Sequence, residues 1–390
     1  QKLQKAPCKL LRDTKSYQVV ASWLSGKACK LLMEHTGVKI PKCYDAQARP
    51  DYEHPMESKF SFLLEDFSPQ QNWYQVWLLD SEEEIQATLQ IYAKIHACFW
   101  SGSDFWRCEK EAGEELEDSI WESGSYVQPK AQDANQCAIV AEEWALKKQK
   151  FHKEMSCLEY WDDLGERLQS VCVEAGRHAH PFADDGLDND DESDVSEDSD
   201  DDTTTTTTTT VASQSLPSLS QDYQQFRTFT HGDPKQANMF FRRRDDDDSL
   251  EVGLIDFQWS GFGLAATDIA HFLTSAVHAD QLVNGGEAKY QRFYFDELQK
   301  YLVEYGAYKN EQDALERFSY DTFLEQYDTA VLDLTRLVIA YTWDRFTEPV
   351  EKTDKDGKAR TMNKTSYNKS VANAVFLMTK CHEVLKSRGV

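Results

Sequence analysis

His231-Gly232-Asp233-Pro234-Lys235-Gln236-Ala237-Asn238, continuing into Met239-Phe240-Phe241, decides the fold. A charged segment from Arg242 to Ser249 separates it from Leu250-Glu251-Val252-Gly253-Leu254-Ile255-Asp256-Phe257-Gln258, and Asp268 follows. Met239 to Phe241 and Glu251 to Ile255 are short apolar runs with aromatic and β-branched residues, which read as strands. The run Asp245 to Asp248 between them reads as a solvated turn. A hairpin there brings the residues before Met239 and after Ile255 to one end of two paired strands. Asn238 and Asp256 then lie side by side, with Asp233 on the loop feeding the first strand.

An Asp, an Asn five residues on and a second Asp across a hairpin suit phosphoryl transfer. One carboxylate takes the proton of an attacking hydroxyl, while the Asn and the second carboxylate hold magnesium on nucleotide phosphates. Magnesium prefers oxygen ligands and keeps several waters, so one carboxylate and one amide carbonyl suffice beside the phosphates. A His-Gly-Asp triplet alone is a weak signal, and Asp-Phe pairs occur by chance at strand ends. The weight lies in their order, with an apolar hairpin between.

His231-Gly232-Asp233 with Asn238, followed by Asp256-Phe257-Gln258, resembles the motif pair of the aminoglycoside phosphotransferase and choline kinase superfamily. Ile255-Asp256-Phe257-Gln258-Trp259-Ser260 and Asp268-Ile269-Ala270-His271-Phe272-Leu273 look closest to its ecdysteroid kinase-like (CHK kinase-like) group. The resemblance implies an α+β, protein-kinase-like fold of two lobes, using ATP and Mg2+ to phosphorylate a hydroxyl of a small molecule. By it Asp233 is the catalytic base, Asn238 and Asp256 are metal ligands, and His231 and Asp268 support the catalytic loop. Thr267 and Asp268 also suit the start of a helix, where an acid favours the free amides.

The resemblance divides the chain into a partial N-lobe with hinge, 1–66, and a helical C-lobe, 67–390, that carries the motif. Leu63-Leu64-Glu65-Asp66-Phe67 looks like the hinge, which implies that backbone near Glu65 and Asp66 meets the adenine edge; exposed hinge acids without a ligand role fit equally. At the front, a nucleotide-covering loop, a strand lysine and a helix glutamate are expected. Lys5 is the candidate lysine, or else a solvated terminal one. Val20 stands where the acid belongs. A truncated small lobe follows as an expectation, and with it an alternative function: a weakly active or inactive kinase-like binding module.

Composition narrows the remaining classes. The formal net charge is −26, and twelve of the acids fall between Asp184 and Asp202, where no basic residue occurs. No basic stripe suggests a nucleic-acid surface. No run approaches the length of a membrane span. Nine cysteines without a CxxC pair read as reduced thiols; with no signal-peptide pattern after Gln1, a cytoplasmic location is expected. Residues 181–221, with eight consecutive threonines, have too little apolar surface to offset the entropy of ordering and read as a disordered insertion. Ser193, Ser196 and Ser199 among its acids are either phosphorylation sites or plain spacer.

Elsewhere the pattern is mainly helical. Helices are expected over Ser16 to Glu34, from Ser81 through Phe99, over most of Gln132 to Arg177, and over Ala288 to Tyr305, Phe318 to Phe346 and Val371 to Leu385. Ser81 and Glu84 have capping-box spacing. His96 reads as a hydrogen-bonded packing residue. His178 and His180 make a weak metal pair. Asp333, Arg336 and Asp344 either line an acceptor pocket or form internal salt bridges. Glu348 to Asn363 reads as an exposed loop. An apolar, sterol-like alcohol suits the aromatic helices as an acceptor, and choline-like or sugar hydroxyls are compatible too.

Overall fold

Trp23 ties the first helix to the strands around the motif. Its ring stacks on Phe229 with centroids 4.3 Å apart and meets Phe99 and Phe257 at an angle. The computed structural model describes residues 8–127, 136–156, 158, 161–183, 223–342, 350–353, 359–362 and 370–390. Lys5, the acidic and threonine runs of 184–222, and Asp344 lie outside the described residues.

The chain begins with helices α1 (Cys8–Ser25) and α2 (Lys27–Thr36), then strands β1 (Cys43–Arg49) and β2 (Lys59–Leu64). Helices α3 (Glu82–Cys98), α4 (Asp104–Cys108), α5 (Lys110–Ser119), α6 (Gln136–Lys150), α7 (His152–Met155) and α8 (Leu164–Ala179) follow. Next come β3 (Arg227–Thr230), β4 (Met239–Arg243), β5 (Leu250–Leu254) and β6 (Gly261–Leu264). The rest is α9 (Ala265–Ala276), α10 (Gly286–Glu304), α11 (Glu311–Arg317), α12 (Tyr320–Leu337), β7 (Val350–Thr353), β8 (Ala359–Met362) and α13 (Val371–Ser387). The fold is thus mixed, mainly helical with short two-stranded sheets. One apolar core runs through it, from Val19 and Trp23 to Val384 and Leu385.

The expected hairpin is present. β4 and β5 pair antiparallel with Met239 opposite Leu254 and Arg243 opposite Leu250. The Ile255 amide donates to the Asn238 carbonyl at 3.0 Å, which sets the two ends of the hairpin together. Phe67 lies on this sheet: a Cβ at Gly253 would come within 2.5 Å of its ring. A second antiparallel pair, β3 with β6, escaped the sequence reading.

Several local expectations are corrected. The helix foreseen over Ser16 to Glu34 is two helices. Gly26 breaks it with an extended backbone, and a Cβ there would come within 2.8 Å of the Ser22 carbonyl oxygen. Gly37 ends α2 in the left-handed conformation at φ 70° with its amide on Met33. The Ser81 capping box does not form, since the Ser81 side chain makes no cap bond. Glu84 instead accepts from the Tyr74 hydroxyl at 3.1 Å. The segment read as an exposed loop contains the β7–β8 pair.

The polar residues of α12 belong to the interior. Asp333 accepts from Arg336 Nε at 2.8 Å and pairs with His180 Nε2 at 3.0 Å. Arg336 also reaches Gln136 Oε1 at 2.6 Å and the Val127 carbonyl at 2.8 Å. Burial alone would raise the Asp333 carboxyl, but Arg336 and His180 hold it below its ordinary value. This is the internal salt-bridge reading, and it removes His180 from the metal pair. Two residues before His180, the ring of His178 lies 6.4 Å from that of Tyr223, so described residues before and after 184–222 are in contact.

Trp23 is fully buried, and truncating such a residue typically costs about 3–5 kcal/mol. Trp23→Ala is therefore expected to lower the urea midpoint by an amount matching that loss. A change below about 1 kcal/mol would show that α1 does not depend on this stack.

Candidate active site

β3 ends at Thr230 and delivers His231, Gly232 and Asp233 in succession, while β6 carries the chain away after Asp256. Asp268, in the first turn of α9, turns its carboxylate back onto that loop. Oδ2 accepts from the His231 amide at 2.7 Å, and Oδ1 from the Gly232 amide at 3.0 Å. His96 Nε2 stands 3.3 Å from Oδ2, and its Nδ1 is 2.6 Å from the Tyr294 hydroxyl. Asp268 thus ties the loop down rather than capping its own helix. Burial alone would push its carboxyl up; the His96 bond and charge, the nearby His231 and the Gly232 amide outweigh that and hold it below the ordinary value.

Gly232 is the one residue type this loop admits. Its φ is +79°, and a Cβ would lie 2.2 Å from the Trp259 carbonyl oxygen. Its own carbonyl accepts from the Tyr126 amide at 2.8 Å. His231 links loop and hairpin: Nε2 is 2.9 Å from the Ile255 carbonyl, and Nδ1 is 3.3 Å from the Asp233 amide.

The three oxygen-bearing side chains of the motif are brought together. Asp233 is fully buried, and its Oδ2 pairs with the ammonium of Lys235. Asn238 Nδ2 donates to the Asp233 carbonyl at 2.9 Å and lies 3.4 Å from Oδ2, which turns the Asn238 carbonyl oxygen the other way. Asp233 Oδ1 is buried without a hydrogen-bond partner among the described residues. Asp256 sits past β5 in the left-handed region at φ 66°, an uncommon state for a residue with a side chain. Its carboxyl is pushed up, first by burial and then by the charge of Asp233, against the easing effect of Lys235 and His231.

A raised Asp256 carboxyl next to the charge of Asp233, beside an amide carbonyl, is a donor set a divalent cation relieves. Among the described residues no group of three or more His, Cys, Asp and Glu side chains is placed to hold a metal. The set therefore fits an ion that also takes phosphate and water ligands, not an all-protein cage.

Sequence reading passed over Lys235 and His271. Lys235 lies two residues after Asp233, close enough to have been read as its counter-ion. His271 lies three residues after Asp268 on the same helix face; burial lowers it most, while the charges of Asp233 and Asp268 pull it upward. Trp121, Tyr126 and Trp259 form an aromatic wall beside Gly232, with Trp121 and Trp259 stacked at 5.8 Å. Arg12 lies over Trp259 and Lys15 over Trp121, each 5.9 Å from the ring centroid.

The expected hinge residues follow β2. The Glu65 amide donates to the Lys42 carbonyl at 2.9 Å and its Oε2 accepts from the Lys42 amide at 3.1 Å, so both already have partners. Asp66 is exposed.

Sequence comparison assigns the segment that holds this geometry. Residues 137–307 match the Ecdysteroid kinase-like family. The kinship read from the motif is borne out over that span, which holds His231, Asp233, Asn238, Asp256 and Asp268. No curated protein sequence matches the chain. Among solved structures, an ethanolamine kinase of Plasmodium vivax is similar at 9% identity and a TM-score of 0.33, over 93% of this chain and 72% of that one. So slight a likeness carries no argument. No described helix is long and apolar enough to cross a membrane.

Two outcomes follow for stability. The depressed Asp268 contributes fully above the ordinary carboxylate value, and its contribution fades as pH falls through the lower folded value. Asp268→Asn should cost about 3–5 kcal/mol at neutral pH, and the urea midpoints of variant and parent should converge in acid. A pH-independent gap would contradict the linkage. Asp256 has the opposite sign, because its raised folded value makes the charge a burden at neutral pH. Asp256→Asn should thus raise the melting temperature in metal-free buffer, and a fall would refute the electrostatic reading.

Proposed function

We propose an ATP- and magnesium-dependent phosphotransferase that moves a γ-phosphoryl group to a hydroxyl of a small molecule. What supports it best is the union of Asp233, Asn238 and Asp256, with one Asp233 oxygen left open. Asp233 holds Oδ2 against Lys235 and Asn238 and takes the hydroxyl proton through Oδ1. As that proton leaves, the acceptor oxygen bonds to phosphorus and the bond to the ADP oxygen breaks. Bound magnesium-ATP would supply the phosphoryl group and the charge that offsets its transfer, held by the Asn238 carbonyl and the Asp256 carboxylate. Lys235 adds a positive charge beside the same point. Lys5, Glu65 and Asp66 remain the nucleotide-side candidates from the resemblance, and Asp66 is exposed.

The aromatic wall beside Gly232 supports an apolar or aromatic hydroxyl compound as acceptor. Arg12 and Lys15 over the Trp259 and Trp121 rings tell against a quaternary ammonium, which would compete for the same faces. A binding module without turnover is the second reading, favoured by the closed Lys235–Asp233 pair.

One titration separates them. Magnesium-ATP should raise the melting temperature of the parent, with ADP released when a sterol-like or aromatic alcohol is present. Asp233→Asn should keep the thermal shift and lose roughly 10²–10⁴ in rate; Asp256→Asn should lose the magnesium-dependent part of the shift. A shift with no ADP from any alcohol points to the binding module. No shift at all removes both readings.

A further inference from the structure

Helices α6 and α8 pack together, and each brings a cysteine to the contact. Cys172 is fully buried, with Sγ 3.8 Å from the Cys137 carbonyl oxygen and 3.5 Å from that of Gln169. Cys137 is part-exposed, and the Cys172 thiol reaches the backbone carbonyl of Cys137 itself, so the two residues are direct neighbours. One member of the pair is thus open to small reagents, and the second lies behind it in reach.

Their surroundings make the two thiols unequal. The neighbouring Cys172 thiol lowers the Cys137 thiol, burial opposes this, and the Arg336 guanidinium helps it. Cys172 is raised by the Cys137 thiol and by burial. An accessible thiol tuned toward thiolate beside a protonated neighbour is the arrangement of an attacking and a resolving cysteine. Cys29 and Cys43 also sense each other, but burial raises both and no bond joins them.

We propose that Cys137 and Cys172 form an oxidisable dithiol, closed to a disulfide by a peroxide-class oxidant. Cys137 sulfur attacks a peroxide oxygen, the O–O bond breaks, and water leaves with the sulfur as sulfenic acid. Cys172 sulfur then displaces the hydroxyl, which departs as a second water with the Cys172 proton. Two thiols and one hydrogen peroxide become one disulfide and two waters.

The position gives the bond something to act on. Arg336 spans from Gln136, beside Cys137, to the Val127 carbonyl, and the neighbouring Tyr126 amide holds the Gly232 carbonyl. The dithiol is therefore linked to the proposed catalytic loop through the hydrogen bonds of Arg336 and Tyr126, joined by single backbone steps at Gln136–Cys137 and Tyr126–Val127.

The test needs no substrate. The full chain is treated with hydrogen peroxide at a few equivalents, and its intact mass and non-reducing peptide map are recorded. A loss of two hydrogens, a linked Cys137–Cys172 peptide pair and reversal by dithiothreitol are expected. Cys137→Ser should abolish the link, while Cys108→Ser, at an exposed position, should leave it intact. Because Cys137 is part-exposed, its serine variant should stay folded, which circular dichroism checks; should it unfold, selective alkylation of Cys137 in the parent before oxidation serves the same purpose. An unchanged mass, Cys137 oxidised further with Cys172 unlinked, or a disulfide through another pair such as Cys29 and Cys43 overturns the proposal.

Discussion

A carboxylate shut away from water holds the His231–Asp233 loop in place. Asp268 receives two consecutive loop amides and the His96 ring, and His96 is fixed in turn by Tyr294. Desolvating a charge is costly unless each lone pair finds a donor, so this arrangement tolerates little displacement. The left-handed Gly232 and the His231 bridge to Ile255 then follow from where those amides must point. Asp233 and Asp256 inherit their positions from this anchor, through β3 on one side and the β4–β5 hairpin on the other.

The motif hairpin was legible because its two apolar runs are bounded by charge and by the Asp245–Asp248 turn. Gly37 announced the end of α2 for the same kind of local reason. What escaped depends on distant partners. Glu84 had the right spacing for a capping box, but Tyr74 offered a better bond. β3 and β6 are only four residues each, with Thr228, Thr230, Gly261 and Gly263 between their few apolar positions, and they pair across a long stretch of chain. Lys235 and His271 gain meaning only when the loop and α9 are seen packed together. Asp333 and Arg336 left two readings open in sequence, and burial with His180 decides for the internal one.

The site trades stability for readiness. Asp256 combines a left-handed backbone with a carboxyl raised by burial and by Asp233. A fold selected for rigidity alone would place a glycine or an amide there. The surrounding order, from the Trp23 stack to the Asp268 anchor, offsets this local burden.

The ring contact between His178 and Tyr223 has a further consequence. Because described residues on either side of the acidic and threonine-rich stretch already touch, any segment able to span that short gap leaves β3 where it is. Loop-closure entropy grows only by about 0.6 kcal/mol for each doubling. This junction therefore works as a socket, where evolution or an engineer can exchange one passenger segment for another while the His231–Asp233 loop downstream keeps its register.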